Sequence, residues 1–350
     1  MTGHELLFRY NQGLAGPWPG PAAPALEFEA TWISGLLAEV EAAEQAREPV
    51  RTLADFKARL TAQLTEDGGS SCEDSEFISQ SATREQFQVI LREYALDGLT
   101  EAEAMFAIIP RLDPSSQAPV MRILIDEFGC GNPAKVHSNL YRELLTELEL
   151  PTQLEPHLEQ GRCEQSHAFV NVYHWLTKRA VSVDYYLGAL VYTERVIPDS
   201  FQCYVQACER LGIRHHEYFS EHVHIDAYHA RDAFLALQRR AQAVGVDFQH
   251  AWMGVQLARR AGNEAFSAIV RKARGAKPCF ALALDGRSYA VPRTCPHRGG
   301  DLSKGHLHEG GKAITCPLHG ATFALPSGRR LGGPACADLR LEDTGAEEGA

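Results

Sequence analysis

The stretch SEHVHIDAYHA, Ser220–Ala230, sets three histidines and an aspartate within eight positions. A helix advances about 100° per residue. With His222 at zero, Asp226 lies at about 40° and His229 about 20° to the other side, while His224 lies at about 200°, on the far face. No Gly or Pro stands between Glu217 and Val244, so one continuous helix is predicted here. Its face presents His222, Asp226 and His229 together, with His224 left out. Two imidazoles and a carboxylate suit non-haem iron, which takes mixed nitrogen and oxygen donors and keeps open positions. By itself the pattern is one helix surface in a chain with fifteen histidines. Carboxylates from elsewhere in the chain have to complete it.

The chain has 350 residues, room for two domains or for one large domain with an appendage. A hydrophobic content of 45% builds an ordinary globular core. The net charge of −11 gives no basic footprint for nucleic acid and reads as solubility. No apolar run approaches the roughly 18 residues of a membrane span. The opening MTGHELLFRYNQGLAGPWPGP has no apolar core of the signal-peptide kind. The expected location is the cytoplasm, where nine cysteines serve as ligands or buried thiols rather than disulfides.

Residues 1–25 are rich in Gly and Pro and are expected to form an irregular arm. Residues 26–272 read as helical almost throughout, with apolar residues at three- and four-residue spacing in runs such as TREQFQVILREYAL. Stops at Pro110, Pro114, Pro133, Pro151, Pro198 and Gly212 divide this region into about nine or ten helices, an all-α bundle. At RKARGAKP, Arg271–Pro278, the character changes. The segments CFALAL, SYAV, KAIT and TFAL are short strands between Gly- and Pro-rich turns, so residues 277–342 form a small β domain. Residues 343–350 read as a frayed acidic tail.

The β domain carries Cys295-x-His297 and, after eighteen intervening residues, Cys316-x-x-His319. Two thiolates and two imidazoles fit either a tetrahedral zinc or a 2Fe–2S cluster. The flanking segments CPHRGGDLSKG, ITCPLHGATFAL and PSGRRLGGPA resemble, in order, those of a Rieske ferredoxin domain. The resemblance implies that Cys295 and Cys316 hold one iron and His297 and His319 the other. Respiratory-complex relatives carry an extra, disulfide-bonded cysteine in each loop; here those places hold Gly300 and Leu318. The domain therefore resembles the ferredoxin and oxygenase type, which delivers electrons within the cell.

Carboxylates for the helical face come from three segments. LTEAEAMFAIIPRL holds Glu101 and Glu103, and LIDEFGCGNPAKVHSNLY holds Asp126, Glu127 and His137. Glu194 shares a helix face with Leu187, Leu190 and Val191, and a carboxylate on an apolar stripe needs a partner. The segments IDEFGCGNPAKVHSNLY, AIIPRL and FSEHVHIDAYHA resemble the haem-oxygenase-like diiron oxidases and oxygenases, the iron-containing redox enzyme family, over residues 80–265. That resemblance implies an all-α fold, two non-haem irons and dioxygen as co-substrate. It implies the ligands Glu101, His137, Glu194, His222, Asp226 and His229. Glu127 matches a further carboxylate of members that oxygenate amine nitrogen. Glu103 is the alternative to Glu101; alignment on AIIPRL favours Glu101. Asn132-Pro133 reads as a helix N-cap and first residue, so Glu127 either closes one helix before His137 opens the next or sits on a kinked one.

The function so implied is a diiron oxygenase acting on the amine of an amino acid or a natural-product intermediate. Glu127, His137 and Glu194 belong to its catalytic set, and the Rieske domain returns electrons from an external reductase. Transfer within one chain and transfer between the chains of a homodimer both stay open. One rival is C–C cleavage or oxidative decarboxylation of a carboxylate substrate. The other is a redox carrier without a substrate, for which a helical core with no cavity beside the metals would speak. Cys203 and Cys208 read as buried thiols. Tyr173, Trp175, Tyr185 and Tyr186 read as core aromatics, one or two of them on a substrate channel, and Arg195 and His174 are candidates to meet a carboxylate.

Overall fold

In the computed structural model the described residues are 1–13, 22–69, 73–158, 162–275, 279–284, 287–334 and 336–346. Twelve α-helices lie among them: α1 (Gly3–Asn11), α2 (Ala22–Glu44), α3 (Leu53–Gly69), α4 (Glu73–Glu76), α5 (Arg84–Gly98), α6 (Pro114–Glu127), α7 (His137–Glu147), α8 (Glu155–Leu158), α9 (Glu164–Lys178), α10 (Val183–Leu211), α11 (Glu217–Ala243) and α12 (Phe248–Ala273). Two of these, α4 and α8, are single turns, which accounts for the smaller number expected. The chain divides into two compact units, Met1–Val270 and Arg271–Ala350. No described helix is long and apolar enough to cross a membrane.

Local chemistry sets the helix ends. Thr83 and Gln86 exchange hydrogen bonds as a capping box on α5. Asp113 accepts from the Ser115 and Ser116 amides and opens α6 with Pro114 at its first position. Gly212 closes α10 at φ 67°, a left-handed conformation that costs glycine little. Pro198 does not end a helix as expected: α10 runs through it. What Pro198 removes is the N–H that would bond the carbonyl four residues back, that of Glu194.

Two further expectations are corrected. The N-terminal arm is not irregular, since α1 occupies Gly3–Asn11, capped by Thr2 and burying Leu7 and Phe8. Apart from Gly3, the Gly and Pro that suggested an arm lie at 13–24, beyond this helix; the part of the arm at 14–21 is outside the described residues. The acidic tail is not frayed over Glu342–Ala346, which pairs antiparallel with a strand of the β unit. An open strand edge accepts backbone partners whatever the side-chain charge. Residues 347–350 are outside the described residues, as are 276–278 at the expected boundary.

Within the helical unit α10 packs along α11, and α11 packs against α6 and α7. Buried rows from α9, α10, α11 and α12 form the main core. At Gly188 of α10 a Cβ would lie 1.8 Å from the Ala251 carbonyl oxygen, and at Gly254 of α12 one would lie 1.9 Å from that of Tyr185. The two backbones therefore touch, and each glycine leaves room for the other helix. Gly188→Ala forces them apart and is expected to cost roughly 3 kcal/mol, as overpacking of a rigid contact does. Chemical denaturation reads this directly; a loss below about 0.5 kcal/mol would show that the helices slide freely.

The β unit has two antiparallel sheets. One has the order β1 (Cys279–Leu284), β2 (Arg287–Pro292), β7 (Glu342–Ala346); the other runs β3 (His306–His308), β4 (Ala313–Thr315), β5 (Thr322–Ala324), β6 (Arg330–Gly332). Val291, Leu302, Ile314 and Phe323 fill its core. His306 and His308 lie on β3, and His308 Nε2 lies 2.8 Å from the Thr315 hydroxyl.

Candidate metal centre

The face predicted for α11 exists and points inward. His222, Asp226 and His229 are 2%, 1% and 0% exposed, whereas His224 is exposed. Helix α6 ends on Glu127 and α7 begins on His137. Between them Asn132 caps the short 3-10 turn Pro133–Lys135 and turns the chain back, so the two side chains converge. Glu194 projects from α10 one turn before Pro198. Glu101 lies in the turn after α5 and reaches His222, with Oε1 2.9 Å from Nε2. Glu103 is exposed at the start of the next 3-10 turn and is in neither cluster below.

These side chains gather into two adjoining groups, Glu101, Glu127, His137 and His222 in one and Glu194, Asp226 and His229 in the other. Glu127 faces both. Its Oε2 lies 2.7 Å from His137 Nδ1 and its Oε1 3.4 Å from His229 Nδ1. The first group is tightened by His137 Nδ1, 3.1 Å from His222 Nε2. In the second, His229 Nδ1 lies 3.4 Å from Asp226 and 3.5 Å from Glu194. His222 Nδ1 sits 2.6 Å from the Tyr218 carbonyl. That bond holds the ring proton on Nδ1 and leaves Nε2 facing the carboxylates. Asp126 lies behind His229, 3.6 Å from Nε2, and so can orient that ring from outside.

The charges of these buried groups act strongly on one another. Burial would lower His229, yet Asp226 and Glu194 raise it to about 11. Burial likewise opposes the charge on His222, and Glu101 outweighs it, raising the group well above the usual histidine range. Burial lifts Glu194 to about 7. It also works against Glu127, but His137 foremost, with His222 and His229, holds that carboxyl down at about 2. Both Asp226 oxygens, Glu101 Oε2 and both His229 nitrogens are buried without hydrogen-bond partners. Orphaned donors and acceptors of this kind are costly unless something joins them. Four carboxylates offset the charge of two divalent cations, so the residues present fit a pair of iron ions.

A cavity of about 850 Å³ opens beside both groups, lined by Glu101, Glu127, Glu194, His222 and Asp226. Tyr173, His174, Tyr186 and Arg195 share that lining, while Trp175 and Tyr185 pack on each other in the core, ring centroids 5.7 Å apart. Cys203 and Cys208 are buried thiols, and burial pushes Cys208 up to about 12. The sequence pattern did not single out Asp97, which also lines the cavity. It lies on an amphipathic helix where nothing in the spacing sets it apart.

The β unit brings its four residues together in two matching loops. Cys295 N donates to Gly300 O at 2.8 Å, and Cys316 N donates to Ala321 O at 2.8 Å. The thiols are 2% and 1% exposed. Burial and the facing Cys316 hold the Cys295 thiol above its usual range. The His297 and His319 rings stand 4.9 Å apart at 82°, and His297 Nδ1 has no hydrogen-bond partner. Two inner sulfurs and two outer imidazoles fit a 2Fe–2S cluster. A Cβ at Gly300 would lie 2.5 Å from Cys316 Sγ and 3.1 Å from Leu318 Cβ. Gly300 and Leu318 do face each other across the loops, and the space against the cysteine requires glycine.

Comparison with known proteins agrees with both units. The iron-containing redox enzyme family matches residues 88–263, and the Rieske [2Fe-2S] domain matches residues 253–341. A nitrosourea synthase of Streptomyces achromogenes subsp. streptozoticus is 29% identical over 192 residues, 52% of this chain and 39% of that protein. The chain thus spans well under half of that relative. The ferredoxin component of biphenyl 2,3-dioxygenase from Rhodococcus jostii (strain RHA1) is 32% identical over 23% of this chain and 72% of its own length. A 3-phenylpropionate/cinnamic acid dioxygenase ferredoxin subunit from Escherichia coli (strain K12) is 36% identical over 21% of this chain and 68% of its own.

Proposed function

The chain belongs to the iron-containing redox enzyme family, with a Rieske domain joined to it, and from that premise we propose that it oxygenates an amine nitrogen of a small molecule. Glu101, Glu127, His137 and His222 would hold one iron, and Glu194, Asp226 and His229 the other, with Glu127 shared. Cys295, His297, Cys316 and His319 would hold the 2Fe–2S cluster. When bound, the irons supply dioxygen activation and the cluster supplies single electrons.

The chain's own residues do the rest. The cavity beside both groups admits a substrate, which speaks against a carrier with no substrate. Its aromatic lining excludes water around the reacting nitrogen. Tyr218 carbonyl and Asp126 hold the His222 and His229 rings in place. Glu127 supports the nitrogen reading most: its two oxygens address the two groups, as a shared carboxylate must. The relative named nitrosourea synthase points the same way, since the product in its name carries oxidised nitrogen. An external redox partner feeds the Rieske domain, and a homodimer is part of the proposal only as a route for those electrons.

The test is a panel of amines, amino acids and carboxylic acids given to iron-loaded protein with a reductant and isotopically heavy dioxygen. The expected product is a hydroxylamine carrying one labelled oxygen. A product shortened by one carbon with release of carbon dioxide would replace this reading with oxidative C–C cleavage.

A further inference from the structure

Helix α5 ends with a carboxylate that neither metal group uses. Asp97 lines the cavity beside Glu101, Glu127 and His222, yet it belongs to neither donor set. Burial and Glu101 act against its charge, while the Tyr94 hydroxyl and His222 favour it; among the described residues no lysine or arginine pairs with it. Tyr94, one turn earlier, gives it a hydroxyl but no charge. Its neighbours in the lining are provided for. Asp67 pairs with Arg259 at 2.7 Å, and Glu93 pairs with Arg162 at 3.5 Å. A carboxylate on a cavity wall with no arginine or lysine paired to it is costly to keep unless a ligand brings the cation.

The walls around it suit such a ligand. The rings of Tyr94, Phe201 and Tyr204 stand 5.7–6.2 Å apart and line the same cavity. Aromatic faces attract ammonium and guanidinium groups. Tyr186 Oη also lines the cavity, is 1% exposed and has no hydrogen-bond partner. A carboxylate, three rings and one free hydroxyl together make a site for an organic cation bearing N–H groups.

We propose that Asp97 binds the cationic nitrogen group of the substrate, an alkylammonium or alkylguanidinium, and holds it beside Glu101 at the edge of the metal centre. This rests on the reading of the cavity as a substrate site and adds its charge preference. Asp97 is a specificity-determining residue here, and the cation lies between it and the aromatic wall.

Calorimetry on the full chain, loaded with ferrous iron and kept free of oxygen, tests this with n-butylguanidinium and n-butylammonium against the neutral N-butylurea and 1-butanol. The cations bind at least about tenfold tighter than the neutral probes. Asp97→Asn lowers cation affinity by about tenfold or more and leaves the neutral probes unchanged, while Asp97→Glu recovers part of the loss. Iron and sulfide contents stay the same in both variants. Equal binding of cations and neutral probes by the unaltered protein would overturn the proposal, and needs no variant to fold. So would unchanged cation binding in Asp97→Asn, or loss of iron together with binding, which would make Asp97 a support for Glu101. Because binding is read without dioxygen, a failure to find N-oxygenated products leaves this result standing. Conversely, amine oxygenation indifferent to Asp97→Asn would sink the charge preference and spare the nitrogen chemistry.

Discussion

Replacing His222 by alanine lowers iron from about four to about two per chain, while acid-labile sulfide stays at about two. His222 Nε2 is the centre of the first group, 2.9 Å from Glu101 and 3.1 Å from His137. Without it a carboxylate and one imidazole remain there, beside the shared Glu127. Glu127, which faces both groups, would then serve the second group alone, so the second site would weaken with the first. The irons that remain are those of the cluster. Substrate-dependent oxygen uptake falls by about a hundredfold or more, since even outer partners of metal ligands cost about ten- to a hundredfold. His224→Ala is the internal control: that ring lies exposed on the opposite face of α11 and leaves iron and uptake unchanged. A His222→Ala protein that keeps about four irons would remove this residue from the centre.

Replacing Cys295 by serine removes the sulfide and the cluster's visible absorption and leaves about two irons in the helical unit. A neutral hydroxyl is a poor substitute for a thiolate, and the 2%-exposed position gives solvent no route to make up the difference. The proposed division of labour sharpens the result. Protein whose irons are reduced beforehand still completes one turnover on addition of dioxygen, but repeated turnover driven by a reductase stops. Cys336, a half-buried cysteine against the same core, supplies the contrast: Cys336→Ser keeps the cluster. Sulfide retained in Cys295→Ser, or reductase-driven turnover undiminished, would count against the role given to this domain.

Much of the centre was legible because helix geometry turns spacing into direction. Three residues at i, i+4 and i+7 had to share a face, and they do, all nearly inaccessible. Glu194 was legible for a different reason: it lies among buried Leu187, Leu190 and Val191, where a lone carboxylate requires a partner. Pro198 misled, because a proline inside a long buried helix costs one hydrogen bond and the packing of α10 on α11 outweighs it. Helix α1 was obscured by the Gly and Pro that follow it. The strand at Glu342–Ala346 was hidden because pairing along an edge is made by the backbone and needs no side-chain pattern.

What the sequence by itself determined was the kind of chemistry: one helix face carrying His222, Asp226 and His229, the paired Cys and His of the β unit, and the helical and β character around them. All of these depend on residue type and local period, which the chain carries in linear order. Only the tertiary structure decided which of Glu101 and Glu103 meets His222, that Glu127 faces both groups, that Asp126 stands behind His229, and that Asp97 borders the cavity. Each of these is a distance between residues far apart in the chain or a direction taken in an irregular turn. Such distances are set by how α5, α6, α7, α10 and α11 pack on one another, and no local period encodes them.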